Sequence, residues 1–204
     1  MQNEFEPVEL QSDSKRKIAV AVIAVLIVII LAVACALLVK HFVIATFIVD
    51  GQSMYPTLDG GVSASEGGDP AYLTDGETLY LNKLAKIKRG DIIVFKPISW
   101  GITDINGNPS SLVKRVIGVE GDRVQIINNI VYLNGQVLDE PYINEPMQFE
   151  SDIDVTVEKG MIFCMGDNRN HSTDSRHKGL ASLDDVEGKC FLIKGKNGKL
   201  RSCK

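Results

Sequence analysis

The sequence predicts an all-β, mostly antiparallel β-sheet domain carried behind one N-terminal transmembrane helix. Three observations predict it. Residues 18–39 form an uncharged run of 22, most of them Ile, Val, Leu and Ala, long enough to cross one hydrocarbon layer as a helix. Beyond that run, short β-branched and aromatic stretches alternate with Gly, Pro, Asn and Asp turn signals, the pattern of strands joined by tight connections. Outside residues 18–39 there is little 3.6-residue periodicity to support further helices.

The span comes first in the chain. Lys15, Arg16 and Lys17 precede it, and only Lys40 and His41 follow closely. The excess of positive charge on the N-terminal side predicts a cytoplasmic N-terminus and an extracytoplasmic remainder. The predicted organisation is a cytoplasmic tail (1–17), a transmembrane helix (18–39) and an extracytoplasmic β-rich domain (40–204) in the cell membrane. A cleaved signal peptide is the alternative, because Ala32-Val33-Ala34 and Ala34-Cys35-Ala36 are small-x-small sites. Both lie inside the apolar run, whereas cleavage sites follow it, so the reading is a retained anchor.

The 164 residues beyond Lys40 suffice for one sizeable core. A single span excludes a multipass carrier, and patterned Val, Ile and Leu exclude a wholly disordered chain. The chain has 22 Lys plus Arg against 26 Asp plus Glu, a net charge of −4, so no footprint for nucleic acid appears. Of four cysteines, Cys35 lies in the span and Cys203 in a basic tail. Cys164 and Cys190 sit in apolar strand-like runs and are predicted to be buried free thiols. Their spacing gives neither a disulfide framework nor a metal pattern, and no cofactor motif is present. His41, His171 and His177 have no partner at metal-ligand or triad spacing.

The strands follow in order. Residues 41–50 read as a strand, or as a brief prolongation of the helix. Residues 78–82 and 91–95 are short strands, the second opening from a Gly-Asp turn. Residues 112–119 are the strongest strand, closed by Glu120-Gly121-Asp122. Residues 124–127 and 130–133 form a hairpin across Asn128-Asn129. Val137 and Leu138, residues 153–157, 161–165 and 190–193 complete the list. Residues 60–76 and 97–111 are polar loops, longer than a compact connection needs, and the tail from Lys189 reads as a solvated end.

Three polar sets interrupt this pattern. Gly51-Gln52-Ser53-Met54-Tyr55-Pro56-Thr57 puts a serine in a turn, which by itself is only a turn. Lys114 and Arg115 interrupt the strand 112–119, where alternation sends them to opposite, otherwise apolar faces. Burial lowers a lysine pKa, and a neutral lysine can take a proton from a serine hydroxyl. The same pattern also fits an edge strand guarded by charge. The third set, residues 166–176, is almost wholly polar; it fits a solvated loop as well as an orienting one.

Together the three sets resemble the type I signal peptidase family, the membrane-anchored serine–lysine leader peptidases of bacteria. Ser53-Met54-Tyr55-Pro56-Thr57 is similar to its nucleophile box and Gly90-Asp91-Ile92-Ile93-Val94-Phe95 to its strand box. Lys114-Arg115-Val116-Ile117-Gly118 is similar to its general-base box, and Gly166-Asp167-Asn168-Arg169 through Ser172, Asp174, Ser175 and Arg176 to its final box. Four boxes in the family's order, over residues 15–193, make the likeness specific.

The resemblance implies that Ser53 is the nucleophile and Lys114 the general base. It implies that Ser172 orients the lysine, that Asp174 and Arg176 form a structural ion pair, and that Asp167 and Asn168 are scaffold positions. The Ser53 backbone N–H is implied as an oxyanion donor. Gly51 stands where some members place a second hydroxyl donor, a departure shared with the Gram-positive branch. The implied substrates are exported preproteins cleaved after small residues, as in Ala-x-Ala, near membrane lipid and the export translocon. Phe42, Phe47, Met54 and Tyr55 are candidates to rest on lipid, though each also fits a core. Two other readings are a catalytically silent anchored binding protein, which would lack the serine–lysine pair, and a self-cleaving repressor, which would need a DNA-binding segment.

Overall fold

The computed structural model describes residues 8–61, 76–104, 106–148 and 151–203. It divides into two compact units, ending at Val43 and beginning at Ile44. The first is a single helix, α1 (Val8–Phe42). Its stretch Lys15–Val39 is apolar, unburied and long enough to cross a membrane. The helix overruns the predicted 18–39 at both ends. Residues 41 and 42, expected to begin a strand, are its last turn, and Val43 N–H still donates to Val39 O at 2.9 Å. Nothing in residues 40–42 breaks the helical ladder, since neither Gly nor Pro occurs there.

The second unit is built on antiparallel ladders. Its strands are β1 (Ile44–Ile48), β2 (Thr78–Asn82), β3 (Ile92–Phe95), β4 (Leu112–Val119), β5 (Arg123–Ile127) and β6 (Ile130–Leu133). They continue as β7 (Gln136–Val137), β8 (Ile153–Thr156), β9 (Met161–Met165), β10 (Ala181–Ser182), β11 (Val186–Lys194) and β12 (Leu200–Ser202). One eight-stranded sheet runs β1-β2-β11-β3-β4-β9-β10, with β12 added on β11; a four-stranded sheet runs β7-β6-β5-β8. A one-turn helix, α2 (Ser175–Lys178), was not foreseen; Asp174 caps it by accepting from Arg176 N–H.

Local chemistry explains the elements that the sequence predicts well. Asn128 and Asn129 hold φ of 50° and 64° between β5 and β6, the positive φ pair that a two-residue hairpin turn demands. Asn134 and Gly135 repeat the device between β6 and β7. In β5 burial alternates residue by residue, as one packed face requires. β3 and β4 are instead buried almost throughout, because both faces of the large sheet are covered. β4 lies between β3 and β9, so it is not an edge strand guarded by charge.

Three apolar clusters fill the interior. One gathers Met54 and Leu58 with Leu79, Leu81, Val113 and Cys190, and so roots the turn after Ser53 in the large sheet. A second joins the small sheet to Phe163 and Met165, and a third packs Phe95 and Trp100 on the other side of β3. Met54 is thus core and no candidate for lipid contact; Phe47 packs beside it, while Tyr55 is exposed.

One expectation about the tail is corrected. Cys190 is not a free thiol: it forms a disulfide with Cys203, with Cα atoms 5.8 Å apart. Cys164 is free and buried. The tail is solvated as expected, with most of residues 194–202 exposed, but it is also ordered as a hairpin in which β12 pairs with β11 at Leu192 and Ser202. Most of the predicted loop 60–76 falls at residues 62–75, outside the described residues. Loop 97–111 is folded on itself: Trp100 is buried against Phe95, Ser110 N–H donates to Ile102 O, and Asp104 accepts from the N–H groups of Asn106 and Asn108.

Candidate active site

Ser53 belongs to the turn that leaves β1. The turn is held from below by buried Met54 and Leu58, and by Leu58 N–H donating to Met54 O at 2.9 Å. It is held from the side by the final polar segment. Asn168 N–H donates to Ser53 O and its Nδ2 to Gln52 O, each at 3.0 Å. Thr57 Oγ1 donates to Asp167 Oδ2 at 2.5 Å. Gly166 makes this close approach possible. A Cβ there would collide with Ser53 O and Ser172 Oγ.

Lys114 reaches the same point from β4. Its Nζ lies 2.7 Å from Ser53 Oγ and donates to Val113 O at 3.0 Å. The side chain is buried, and burial pushes its pKa below the ordinary lysine value; the Asp174 charge opposes the shift only in part. The reason lies in how the buried charges are matched. Asp167 holds Arg115 through two bonds of 2.8 and 2.6 Å. Asp174 holds Arg176 through Nε and Nη2, both at 2.8 Å. Glu140 holds Arg169. Each acid is committed to an arginine, and among the described residues no carboxylate forms an ion pair with Lys114. An amine with hydroxyl and carbonyl neighbours, and no counter-charge, favours its neutral form.

The two sequence-predicted acids differ in role. Burial alone would raise the Asp174 pKa, but the Arg176 guanidinium and the Gly166 N–H outweigh it and hold the carboxyl below the usual range. Asp167 links the two halves of the site, binding Thr57 on the serine side and Arg115 on the lysine side. Both lie in the segment that also fitted a solvated loop. Here Asp167, Asn168, Arg169, Asp174, Ser175 and Arg176 are buried, because their polar groups find partners: Arg115 on β4 for Asp167, the Ser53 turn for Asn168, Glu140 for Arg169, and each other for Asp174 and Arg176. Ser172 is close enough to help hold Asp174 ionised, yet its buried Oγ completes no hydrogen bond of normal geometry.

Several contributors went unassigned in the sequence. Arg115 is a buried ion-pair partner, with its guanidinium 4.0 Å from the Tyr142 ring centre. Tyr142 donates to Glu140 at 2.9 Å, and burial raises its pKa. Arg115 and Thr57 lay inside the boxes and could have been found there. Glu140 and Tyr142 carried no pattern. Loop 97–111 also contributes. Ile102, Thr103 and Asp104 line a cleft of about 490 Å³ that opens on Ser53 and Lys114, with Phe47 and Val113 on other walls. Among the described residues no three His, Cys, Asp or Glu side chains converge as metal ligands.

A hydroxyl in contact with a buried amine whose pKa is lowered, at the foot of a cleft beside strand backbone, is a combination that suits acyl transfer. Residues 21–194 match the family model described as signal peptidase, peptidase S26. The chain is 36% identical to signal peptidase I T of Bacillus subtilis strain 168, over 76% of each chain. It is 38% identical to a signal peptidase I of Bacillus amyloliquefaciens, again over 76% of each. A signal peptidase I structure from Enterococcus faecalis V583 aligns at 32% identity and a TM-score of 0.42, covering 52% of this chain and 97% of that one. The chain belongs to the signal peptidase family of peptidases.

Proposed function

We propose that this protein is a single-span endopeptidase of the cell membrane that removes N-terminal signal peptides from exported preproteins with a serine nucleophile and a lysine base. The observation that carries this reading is the 2.7 Å contact between Ser53 Oγ and a buried Lys114 Nζ without a counter-charge. The neutral amine takes the Ser53 proton as Oγ attacks the scissile carbonyl carbon. The Ser53 backbone N–H stabilises the oxyanion. The resulting lysinium protonates the departing amine, leaving an acyl-enzyme. Lys114 then takes a proton from water, which hydrolyses the ester and frees Ser53. Asp167, Asn168, Asp174 and Arg176 hold the two reacting groups in register, and Ser172 supplies a hydroxyl beside them.

The substrate is read as an extended peptide pairing with strand backbone in the cleft. Shallow pockets admit methyl groups and favour Ala-x-Ala. The anchor keeps enzyme and substrate in one thin layer, with the N-terminus cytoplasmic, the peptidase domain outside, and lipid and the translocon as neighbours. The test is cleavage of a signal-peptide-bearing preprotein by the full chain in detergent. Ser53→Ala, Lys114→Ala and Lys114→Arg are each expected to abolish it, arginine because its guanidinium stays protonated. Near-wild-type turnover by any of the three would refute the mechanism.

A further inference from the structure

We infer that the hairpin of residues 194–203, clipped by the Cys190–Cys203 disulfide, is a positioning element for the Ser53 turn, and that Arg201 is its working residue. The inference rests on the function proposed above and concerns a segment beyond all four motif boxes.

Arg201 reaches back across the chain to the neck of the nucleophile turn. Its Nη1 donates to Glu77 Oε1 at 2.5 Å and its Nη2 to Glu77 Oε2 at 2.7 Å. The same Nη2 donates to Thr57 O at 2.8 Å. The fork therefore holds a side chain and a main-chain carbonyl at once. Glu77 is itself buried and tied to the turn, since its Oε2 accepts from Asp59 N–H at 3.1 Å and its N–H donates to Asp59 O at 2.9 Å. Glu77 O also accepts from Val49 N–H at 2.9 Å. Thus the two ends of the turn, Val49 and Asp59, meet on Glu77, and Arg201 fastens Glu77 to Thr57. A second contact, Lys196 with Asp59 at 2.8 Å, comes from the same hairpin.

Thr57 is more than a neighbour of the serine. Its hydroxyl binds Asp167, whose other oxygen binds Arg115, the residue after Lys114. A displacement at Thr57 is therefore felt both at Ser53 and at the strand that carries the base. The disulfide gives the hairpin a fixed seat: Cys190 is buried in the cluster that holds Met54 and Leu58, and Cys203 packs against that cluster. A guanidinium supplies the planar two-pronged geometry that Glu77 and Thr57 O share; an ammonium does not.

The test uses the full chain in detergent, with kcat and KM for a preprotein and the Tm of each variant. Arg201→Ala is expected to lower kcat about tenfold or more with KM changed by less than about threefold, because misplacement of reacting atoms acts on the chemical step. Arg201→Lys should resemble Arg201→Ala, and Glu77→Gln should add little to either. Cys203→Ser should lower kcat in the same direction by a smaller factor. A kcat for Arg201→Ala within about twofold of wild type overturns the inference. So does a loss that only tracks the folded fraction given by Tm. Ser53→Ala, run alongside, separates the two readings: if it is inactive while Arg201→Ala is fully active, only this inference falls, and if it is active, both fall.

Discussion

Lys114→Met tests the central physical claim without relying on catalysis. The buried amine has lost its hydration and gained two hydrogen bonds, to Ser53 and Val113, but no carboxylate. Its folded pKa is depressed, so the unfolded chain binds a proton that the folded chain refuses. Stability must then rise with pH between the depressed folded value and the unfolded value of about 10.4, by about 1.4 kcal/mol per pH unit, and level off above it. Methionine fills similar space and has nothing to neutralise. Its gain is offset by two lost hydrogen bonds of about 1 kcal/mol each, leaving a net stabilisation of about 1–3 kcal/mol at neutral pH, in the range seen when buried charged groups are replaced by apolar ones. Thermal unfolding of the full chain in detergent would show it as about 2–4 °C of Tm per kcal/mol. The gap between variant and wild type should shrink as the pH is raised from about 7 towards about 10. A constant gap across that interval, or a less stable variant at neutral pH, would refute the claim that burial lowers the Lys114 pKa.

Two further outcomes follow from the site. Gly166→Ala forces a methyl group onto Ser53 O and Ser172 Oγ, which should cost about 1–3 kcal/mol and lower preprotein cleavage; an unchanged Tm and rate would show that the segment yields freely. Asp174 has a folded pKa below its ordinary value of 3.8, so it adds stability that is fully present above that value and is lost as pH falls through the folded pKa. Asp174→Asn should flatten the acid side of the stability curve, and an unaltered acid slope would contradict the assignment.

The sequence was most informative where structure is local. The β5–β6 turn needed only two asparagines able to adopt positive φ. The span needed only length and apolarity. The polar segment 166–176 was harder, because a solvated loop and a buried ion-pair network can share one composition. What separates them is Arg115 and Thr57, which approach Asp167 from 52 and 110 residues away. Cys190 was misjudged for the same reason: its partner arrives only when β12 folds back on β11. Ser53 and Lys114 were named through the order of the boxes, whereas their contact at 61 residues' separation is a product of the sheet. The wall formed by loop 97–111 had no signal beyond its length, since its fold depends on Trp100 reaching Phe95 and on Asp104 closing its own small turn.

The strand order has a consequence for when the site can assemble. β11 lies between β2 and β3, so the serine side of the sheet and the lysine side are joined through residues 186–194. A chain made from its N-terminus delivers Ser53 and Lys114 before it delivers that strand. Until it arrives, β2 and β3 have no common neighbour in the sheet, and the serine and lysine sides are linked through the Asp167 segment but not through the sheet. Under the function proposed above, the complete site therefore assembles only once residues 186–194 are in place.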